Sequence, residues 1–510
     1  MKRILVVAIS ILVSGLLLGV VSGWAAGDTI IIGIHQDATT LDPGNHRDRT
    51  AETIIRNMYD GLVTRTTDMV VVPQLAESWE VVSPTEWVFH LRKGVKWHDG
   101  GSFTAEDVKF TIDRLVKEGM INGITSPRKS LLGTVNGAEI IDTYTVKLTL
   151  DAPMGHLLAF LPFQEIVAKH YVEKVGDDYL AEHPMGTGPF KFVRWDKGTQ
   201  VVMERFDDYY GGSPDISPVG PARVKTVIFK VIPETSSRIS ALLAGEVDII
   251  TKVPTDLMGQ IEASSNATIA TCNGTRSYFV GMNCANGVFA DKKVRQAMNY
   301  AIDMQKIVDT FYSGLGVVIP TILSPNAFGY ADLSPYAYDP KKAKEMLAEA
   351  GYPNGFSVVI DTEDFIKDVA QAYAQMLREV GINASVQVWE WSILKPELLA
   401  SKRQMWLADW GNGSMDPQGL FVPKLGTGAR GNYTGYSNKT LDLLFSLSQI
   451  TSNLTERAEC FIQGQKIVYE DCPMIWGYVT KEVYGVSRRV QNWTPSPDSR
   501  INLHDVAVSD

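Results

Sequence analysis

The sequence predicts an α/β protein built from more than one domain. Helical and strand-like patterns alternate through its second half, which is typical of a partly parallel sheet with flanking helices. Of its residues, 45% are hydrophobic and 21% are charged, which is a globular composition. The chain has 510 residues, and that length is too great for a single hydrophobic core. No repeat with a period of about 20–50 residues is present, which argues against solenoids and propellers. We therefore expect two or three domains.

Residues 1–26 have the pattern of a secretory signal peptide. Lys2 and Arg3 precede an apolar stretch, and small residues after it predict cleavage behind Ala25 or Ala26. The alternative is an uncleaved anchor, because the apolar stretch is nearly long enough to span a bilayer. The first cysteine is Cys272, so we expect no lipid anchor at the N-terminus. The mature protein is then expected free in an extracytoplasmic compartment.

A β-hairpin and a capped helix are predicted in the first half. Residues 80–91 form two short strands around a turn, with aromatic and aliphatic side chains alternating onto one face. Thr104 caps the following helix, because Asp107 completes a capping-box variant. The apolar stripe of this helix is Val108, Thr111, Ile112, Leu115 and Val116.

Three helices with clear start and end signals are predicted in the second half. They begin near residues 234, 340 and 365, and each is followed by a helix-ending glycine: Gly245, Gly351 and Gly381. Strands follow the first and the third of these helices, at 247–250 and 382–388. This order of elements is the alternation on which the α/β prediction rests.

Composition and motifs argue against several functional classes. The chain carries 48 basic and 58 acidic residues, a net charge of −10, and such a protein is a poor binder of nucleic acid. The metalloprotease, nucleophile-elbow and phosphate-loop motifs are absent from the sequence. Its eight histidines are scattered, and none is spaced as a zinc pair. We expect no catalytic residue, no metal and no cofactor.

The four cysteines leave the disulfide state open. Cys460 and Cys472 bracket a predicted helix that would hold them about 18 Å apart, too far for a bond. Cys272 and Cys284 flank a turn asymmetrically, which argues against pairing there as well. Cross-pairing and free buried thiols both stay open.

Aromatic and amide side chains cluster in the last third of the chain. Flat apolar faces with a few placed polar groups are what small-molecule clefts use. We expect Trp389 in the core, because it continues the alternation of a strand, and Trp410 at a ligand site, because its loop is rich in Gly and Asn. The cluster is Trp389, Trp391, Trp406, Trp410, Asn412, Asp416, Asn432, Tyr433 and Tyr436.

Motifs spread over the whole mature chain resemble those of bacterial extracellular solute-binding proteins of family 5. These are the peptide- and nickel-type binding proteins of ABC importers. The pattern is more specific for the family than for the ligand. The matching segments are 41–43 (LDP), 76–80 (AESWE), 87–100 (WVFHLRKGVKWHDG), 187–190 (TGPF), 242–248 (LLAGEVD), 294–297 (VRQA), 301–303 (AID), 339–343 (DPKKA) and 416–417 (DP).

The resemblance implies a two-lobed periplasmic binding protein of type II, cluster C, with mixed sheets flanked by helices and an extra subdomain. The signature hairpin would belong to the extra subdomain, so it marks scaffold and not the ligand site. The implied division is lobe I at 27–65, 187–271 and 478–510, the extra subdomain at 66–186, and lobe II at 272–477.

One loop bears on the ligand. In peptide-binding members, a Trp is followed three residues later by an Asp that pairs with the peptide's α-ammonium. With Trp410 and Asp416 as fixed points, Gly413 takes that position and the carboxylate is missing. With Trp406 as the anchor, Asp409 matches, but the Asp-Pro pair then lies too far downstream. We favour the first alignment, which weakens a simple-peptide reading, because a buried ammonium without a partner charge is costly.

The resemblance and the aromatic cluster together predict the site residues. From where family members place their cleft, we expect the 37–50 segment to line it, together with the entry to the hinge. Trp410 would supply a flat contact and Asn412 an amide, whereas Asp416 would accept from the ligand or cap a turn beside Pro417. The predicted set is Asn45, Phe163, Gln164, Thr187, Gly188, Trp410, Asn412, Asp416 and Tyr433.

The expected function is that of a periplasmic receptor for an ABC importer. It would close around a peptide, a modified peptide such as glutathione, or a similar solute, and deliver it to an inner-membrane permease with its ATPase subunits. We expect a monomer that makes and breaks no bond. The alternatives are a secreted enzyme of the glycoside hydrolase type, which needs two flanking carboxylates, and a chaperone or adhesion role. Peptide, glutathione, oligosaccharide and chelate all stay open as ligands.

Overall fold

A mixed sheet of eleven strands runs through the protein in a computed structural model that describes residues 28–509. The predicted signal peptide, residues 1–26, lies outside the described residues. Within the described range, no helix is both long enough and apolar enough to cross a membrane.

Residues 28–186 begin the main sheet and then form a separate antiparallel sheet. Their elements are Thr29–Ile34 (β1), Arg49–Ile55 (α1), Val63–Arg65 (β2), Val71–Pro73 (β3), Ala76–Ser83 (β4), Glu86–Leu91 (β5), Ala105–Val116 (α2), Lys129–Leu132 (α3), Val135–Asp142 (β6), Thr145–Leu150 (β7), Leu157–Phe160 (α4), Lys169–Val175 (α5) and Asp177–Leu180 (α6). The separate sheet has the order β4-β5-β7-β6, and β2 pairs with β3.

Residues 187–318 continue the main sheet and begin its second half. Their elements are Phe190–Asp196 (β8), Gln200–Arg205 (β9), Thr226–Val231 (β10), Thr235–Leu243 (α7), Ile249–Ile250 (β11), Met258–Glu262 (α8), Ala267–Met282 (β12), Lys292–Tyr300 (α9), Met304–Tyr312 (α10) and Gly316–Val318 (β13).

The rest of the chain completes the second half and returns to the first. Its elements are Pro340–Glu349 (α11), Ser357–Thr362 (β14), Lys367–Glu379 (α12), Asn383–Val388 (β15), Trp391–Leu399 (α13), Met405–Gly411 (β16), Phe421–Leu425 (α14), Lys439–Ile450 (α15), Leu454–Asp471 (α16), Met474–Ser487 (β17), Val490–Gln491 (β18) and Ala507–Val508 (β19). Short 3₁₀ turns occupy Leu161–Phe163, Thr255–Leu257, Gly287–Ala290, Asp364–Ile366 and Pro417–Gly419.

Two long antiparallel strands, β12 and β17, join the halves of the main sheet. The strand order is β15-β14-β16-β12-β17-β11-β1-β10-β9-β8, with β13 paired to β17. The register of β12 on β17 shifts between Asn273 and Ser277. A Cβ at Gly274 would lie 2.7 Å from the carbonyl oxygen of Thr480, so the close approach of the strands there requires glycine. An irregularity of this kind bends the strand in which it occurs. We call this part of the pair, residues 273–277 of β12 and the facing residues of β17, the β12–β17 crossing.

Hydrophobic cores divide the molecule into three bodies. The first lobe has cores around β1, β10 and α7. The body that we call the insert has a core between the β4-β5-β7-β6 sheet and α2. The second lobe has cores around β14, β16, α12 and α16. Val172 and Leu180, inside the predicted extra subdomain, pack into the core of the first lobe. The exact domain boundaries stay a prediction.

The predicted α/β class and the principal predicted elements are confirmed. The hairpin forms as β4 and β5, and the Thr104–Asp107 capping box is present at the start of α2. The strand predicted at 247–250 is shorter, at Ile249–Ile250. Asp248 precedes it, with its backbone N–H donating to the Ile31 carbonyl at 2.7 Å. Its carboxylate accepts from the Ile31 backbone N–H at 2.8 Å and from Arg489 at 2.5 Å.

The cysteines carry free thiols. Cys272, Cys284 and Cys460 are partly buried, and Cys472 is buried at the C-terminus of α16. Of the two states left open by the sequence, the structure has the free thiols.

Candidate ligand-binding site

A cleft opens where the first lobe, the insert and the second lobe meet. It consists of a cavity of about 420 Å³ and an adjoining one of about 440 Å³, which share Arg49, Trp410, Gly411 and Gly413. The first cavity is lined by Arg47, Arg49, Glu52, Arg128, Leu131, Phe160, Phe163, Trp410, Gly411, Asn412, Gly413, Ser414, Gly419 and Arg430. The second is completed by Arg276, Glu363, Trp391, Ala408 and Asp409. All three bodies therefore contribute to one enclosure.

Trp410 lies in the wall shared by the two cavities. It comes near the end of β16, opposite Ser277 of β12, and is half-buried. Its indole N–H donates to the Gly419 carbonyl oxygen at 3.0 Å, which fixes the ring against the following loop. The Arg430 guanidinium carbon lies 5.0 Å from the ring centroid. The arrangement leaves part of a flat aromatic side chain facing the cleft.

A buried lysine supports Trp410 within the second lobe. Lys424 is 2% exposed, and its Nζ lies 4.3 Å from the Trp410 ring centroid and 4.7 Å from that of Tyr433. Its ammonium group forms no ion pair or hydrogen bond with residues 28–509, so ring faces are the main neighbours of that group. Burial lowers the pKa of Lys424 to about 7; Arg430 acts in the same direction and Asp409 opposes it.

Four arginines bring guanidinium groups to the first cavity: Arg47, Arg49, Arg128 and Arg430. Among the described residues, none of the four forms an ion pair with a carboxylate. Arg47 donates to the Ser130 hydroxyl at 2.9 Å, and Arg49 donates to the Asp498 backbone carbonyl. Arg128 donates to the Phe163 carbonyl and contacts His46.

The one carboxylate in this cavity wall is already engaged. Glu52 forms an ion pair with Arg56 at 2.7 Å. Burial raises the pKa of Glu52, but Arg56, Arg128 and Arg49 outweigh burial and hold that pKa at about 2. Burial and the adjacent Arg128 lower the pKa of His46 to about 3. At neutral pH the wall therefore contains a charged glutamate and four arginines, and the histidine in contact with Arg128 is neutral.

The loop after β16 brings Asn412, Gly413 and Ser414 to the cleft. The Asn412 backbone N–H donates to the Thr275 carbonyl at 2.8 Å, and its side-chain oxygen accepts from Ser414 at 2.9 Å. The Gly413 carbonyl accepts from Arg65 at 3.2 Å. A Cβ at Gly413 would lie 2.7 Å from Nη2 of Arg49. A side chain at position 413 would therefore meet the Arg49 guanidinium of the first lobe.

The far end of the cleft holds one ion pair and one further carboxylate. Asp409, the alternative ammonium-binding position, accepts from Arg276 at 2.5 Å. Burial and the neighbouring Asp409 and Glu390 carboxylates raise the pKa of Glu363. The Trp406 anchor of that alternative alignment is 1% exposed and belongs to the second lobe's core.

Asp416 is part of a buried ion pair. Both of its carboxylate oxygens accept from Arg457, at 2.6 and 2.7 Å, and both side chains are 2% exposed. It also accepts from the Gln418 backbone N–H at 3.0 Å, the turn role foreseen beside Pro417. Burial raises the pKa of Asp416, but Arg457 outweighs it and lowers the pKa below its usual value. Asp416 lines a different cavity, between the insert and the second lobe.

Thr187 and Gly188 hold the first lobe together and do not line the cleft. The Thr187 hydroxyl is fully buried and donates to Asp60 at 3.0 Å. Gly188 packs so closely that a Cβ would lie 2.5 Å from the Met58 carbonyl carbon. Burial raises the pKa of Asp60 to about 6, despite hydrogen bonds from Thr187 and Tyr209.

The remaining predicted residues divide between the cleft and its surroundings. Phe163 lines the first cavity, with the Arg65 guanidinium 4.6 Å from its ring centroid. Gln164 is 2% exposed, and Asn45 caps a turn through its backbone N–H to Asp42; neither lines the cleft. Tyr433 is 5% exposed and lies behind the cleft wall, against Lys424.

Sequence reasoning missed the arginines as a group. Arg47 and Arg49 fall within the 37–50 segment expected to line the cleft, but they were not singled out. Arg128 and Arg430 lie in loops of two other bodies, and no local pattern indicates that they converge. In the described range, no cluster of His, Cys, Asp and Glu is arranged to hold a metal ion.

Comparisons with known proteins agree on one family. The model of bacterial extracellular solute-binding proteins, family 5 Middle, matches residues 70–432. The glutathione-binding protein GsiB of Salmonella choleraesuis (strain SC-B67) is 26% identical over 94% of this chain and 94% of its own. The periplasmic binding protein DppA of Helicobacter pylori, solved with the peptide STSA, is 27% identical, covers 95% of this chain and 98% of its own, and has a TM-score of 0.71.

A further solved structure supports the fold alone. HbpA2 of Haemophilus parasuis is 24% identical, has a TM-score of 0.88, and covers 95% of this chain and 100% of its own. The two-lobed α/β architecture is therefore confirmed along nearly the whole chain.

Proposed function

The chain belongs to the bacterial extracellular solute-binding proteins of family 5, and from that premise we propose that the cleft around Trp410 captures its solute. It is a substrate-binding protein of an ABC transporter. The observation that carries the proposal is the enclosure itself, because the first lobe, the insert and the second lobe each contribute side chains to one cavity. Its relatives bind glutathione or peptides, and we propose a peptide or modified peptide for this chain.

Binding proceeds by closure of the lobes about the β12–β17 crossing. A solute that touches Arg49 of the first lobe and Trp410 of the second stabilises the closed arrangement, since only there are both contacts made. The register shift at Asn273–Ser277 supports a bend at this crossing. The proposed boundaries, 27–65, 187–271 and 478–510 for lobe I, 66–186 for the extra subdomain and 272–477 for lobe II, place both interlobe connections near it.

The closed receptor delivers its solute to an inner-membrane permease with ATPase subunits. The support is the family, whose members serve ABC importers. We propose a periplasmic location, reached by cleavage behind Ala25 or Ala26, and action as a monomer. The glycoside hydrolase alternative is not favoured, because two of the three carboxylates of residues 28–509 that line the cleft, Asp409 and Glu52, form ion pairs with arginines, which leaves Glu363 without a second free carboxylate.

Isothermal calorimetry against small solutes tests the proposal. Glutathione, short peptides, oligosaccharides and metal chelates are titrated into the mature protein, with hydrolysis of each followed in parallel. We expect saturable binding of one solute per chain and no turnover. Hydrolysis of a bound solute, or no binding of any small solute, including those of a metabolite extract, would overturn it.

A further inference from the structure

We propose that the cleft selects solutes with at least two anionic groups, which it holds against Arg47, Arg49, Arg128 and Arg430. This inference rests on the proposed function and names the class of solute. It assigns the arginines as specificity-determining residues, a role distinct from the flat contact of Trp410.

The positive charges of the first cavity have no carboxylate partner among the described residues. Four guanidinium groups face this one cavity from three bodies. Arg128 is 1% exposed, and its Nε has no hydrogen-bond partner among the described residues. A guanidinium is a planar donor matched to carboxylates, and a buried one without an anion is costly. A solute carboxylate supplies the missing partner.

The charge beside position 413 is that of an arginine. Gly413 itself contributes no side chain to the cavity wall. The space beside Gly413 holds a guanidinium nitrogen of Arg49, 2.7 Å from where a Cβ would lie. The charge beside Gly413 is therefore positive, which favours an anionic group of the solute.

Within the described range, two of the three carboxylates that line the cleft are already paired with arginines outside the group of four. Glu52 is paired with Arg56 at 2.7 Å, and Asp409 with Arg276 at 2.5 Å. Glu363 at the far end lies beside Asp409 and accounts for one further negative charge. The acidic groups therefore leave the arginine end with a net positive charge. The low pKa of Glu52, set against burial by Arg56, Arg128 and Arg49, is consistent with a strongly positive surrounding.

Matched solutes test the proposal by calorimetry. Glu-Glu is compared with Gln-Gln, which keeps its shape and replaces both side-chain carboxylates by amides, and glutathione is compared with its diethyl ester, which is larger and lacks both carboxylate charges. We expect the acidic member of a pair to bind at least tenfold more tightly, with an advantage that shrinks as salt is added. In parallel, native mass spectrometry identifies what the protein takes up from a metabolite extract, where we expect a multiply anionic solute.

Two variants should reduce the ratio of affinities between the acidic and the neutral member of a pair severalfold. Arg430→Gln removes one guanidinium, and Gly413→Asp adds a carboxylate that pairs with Arg49. Arg488→Gln is the matched control, since Arg488 is exposed outside the cleft and its loss changes the net charge equally. Three results would overturn the inference about charge while leaving the proposed function intact. They are equal or tighter binding of the neutral member of a pair, uptake of a neutral or cationic solute, and the same effect in the Arg488→Gln control. If no small solute binds from any source, the proposed function fails as well.

Discussion

Trp410, unlike Trp406 and Trp389, lines the cleft. Trp406 is buried in the core, and Trp389 donates to Asp361 at 2.8 Å beside β14. Trp410 has a hydrogen bond at its rim and cations near its faces. A side chain fixed in this way keeps its orientation without full burial, which suits a ligand contact.

Trp410→Ala should therefore weaken solute binding by about 2–4 kcal/mol, the range of a binding hot spot. Calorimetry measures the affinity, and urea unfolding measures the stability. Trp389→Ala is the control; it lies outside the cleft and should lower stability while leaving affinity near that of the wild type. Unfolding of Trp410→Ala with unchanged affinity in its folded fraction would assign Trp410 to the core instead.

Lys424 makes a pH-dependent contribution to stability. Its pKa of about 7 lies below the ordinary lysine value, so between pH 7 and pH 10 the unfolded chain binds more protons. Stability from this group therefore rises with pH over that window. Arg430, Lys395 and Asp409 are the charged groups that act on it.

Lys424→Met removes the buried charge and keeps the aliphatic volume between the rings. The variant should be more stable than the wild type at pH 7, and its advantage should shrink by about 2 kcal/mol between pH 7 and pH 9. Urea unfolding of both proteins across this range measures the difference, in which other titrating groups cancel. A difference independent of pH would show that Lys424 keeps an ordinary pKa.

Asp416 should prove structural. Asp416→Asn leaves Arg457 buried without its partner charge and should cost about 3–5 kcal/mol of unfolding free energy. Asp364→Asn breaks an exposed ion pair with Lys367 and should change stability little. The folded Asp416→Asn protein should bind solute as the wild type does; a large loss of affinity at preserved stability would place Asp416 in the ligand site.

At the scale of elements, the β12–β17 crossing is the feature that connects stability with closure. Gly274→Ala would place a Cβ 2.7 Å from a backbone carbonyl that cannot rotate away, so the strands must separate locally. We expect a loss of about 1–3 kcal/mol and an altered closing transition, measured by urea unfolding and by small-angle scattering with and without solute.

Gly259→Ala is the matched control, because a Cβ at that helical position meets nothing within 4 Å. It should be neutral or slightly stabilising. If the Gly274 and Gly259 variants behave alike, close strand approach does not govern the crossing.

The elements that sequence predicts well are those with local signals. The capping box at Thr104 and the glycines after α7, α11 and α12 mark helix ends through contacts within a few residues. β11 was predicted too long, and the carboxylate of Asp248, just before it, pairs with Arg489 from a distant part of the chain. Local patterns carry no information on such a partner.

At the scale of the molecule, the cleft exists only through assembly of the three bodies. Motif resemblance placed Trp410 and the 37–50 segment near one another, but it also included Thr187 and Gly188, whose packing role depends on Asp60 and Met58. The convergence of Arg49, Arg128 and Arg430 follows from tertiary packing over long sequence separations, so periodicity and composition could not predict it.

The most direct test of this account is a crystal structure of the mature protein with its solute bound. We expect density for one solute against Trp410, with at least one anionic group within hydrogen-bond distance of Arg49, Arg128 or Arg430. Solute in another cavity, such as the one lined by Asp60 and His504, or a cationic group against Arg49, would contradict it.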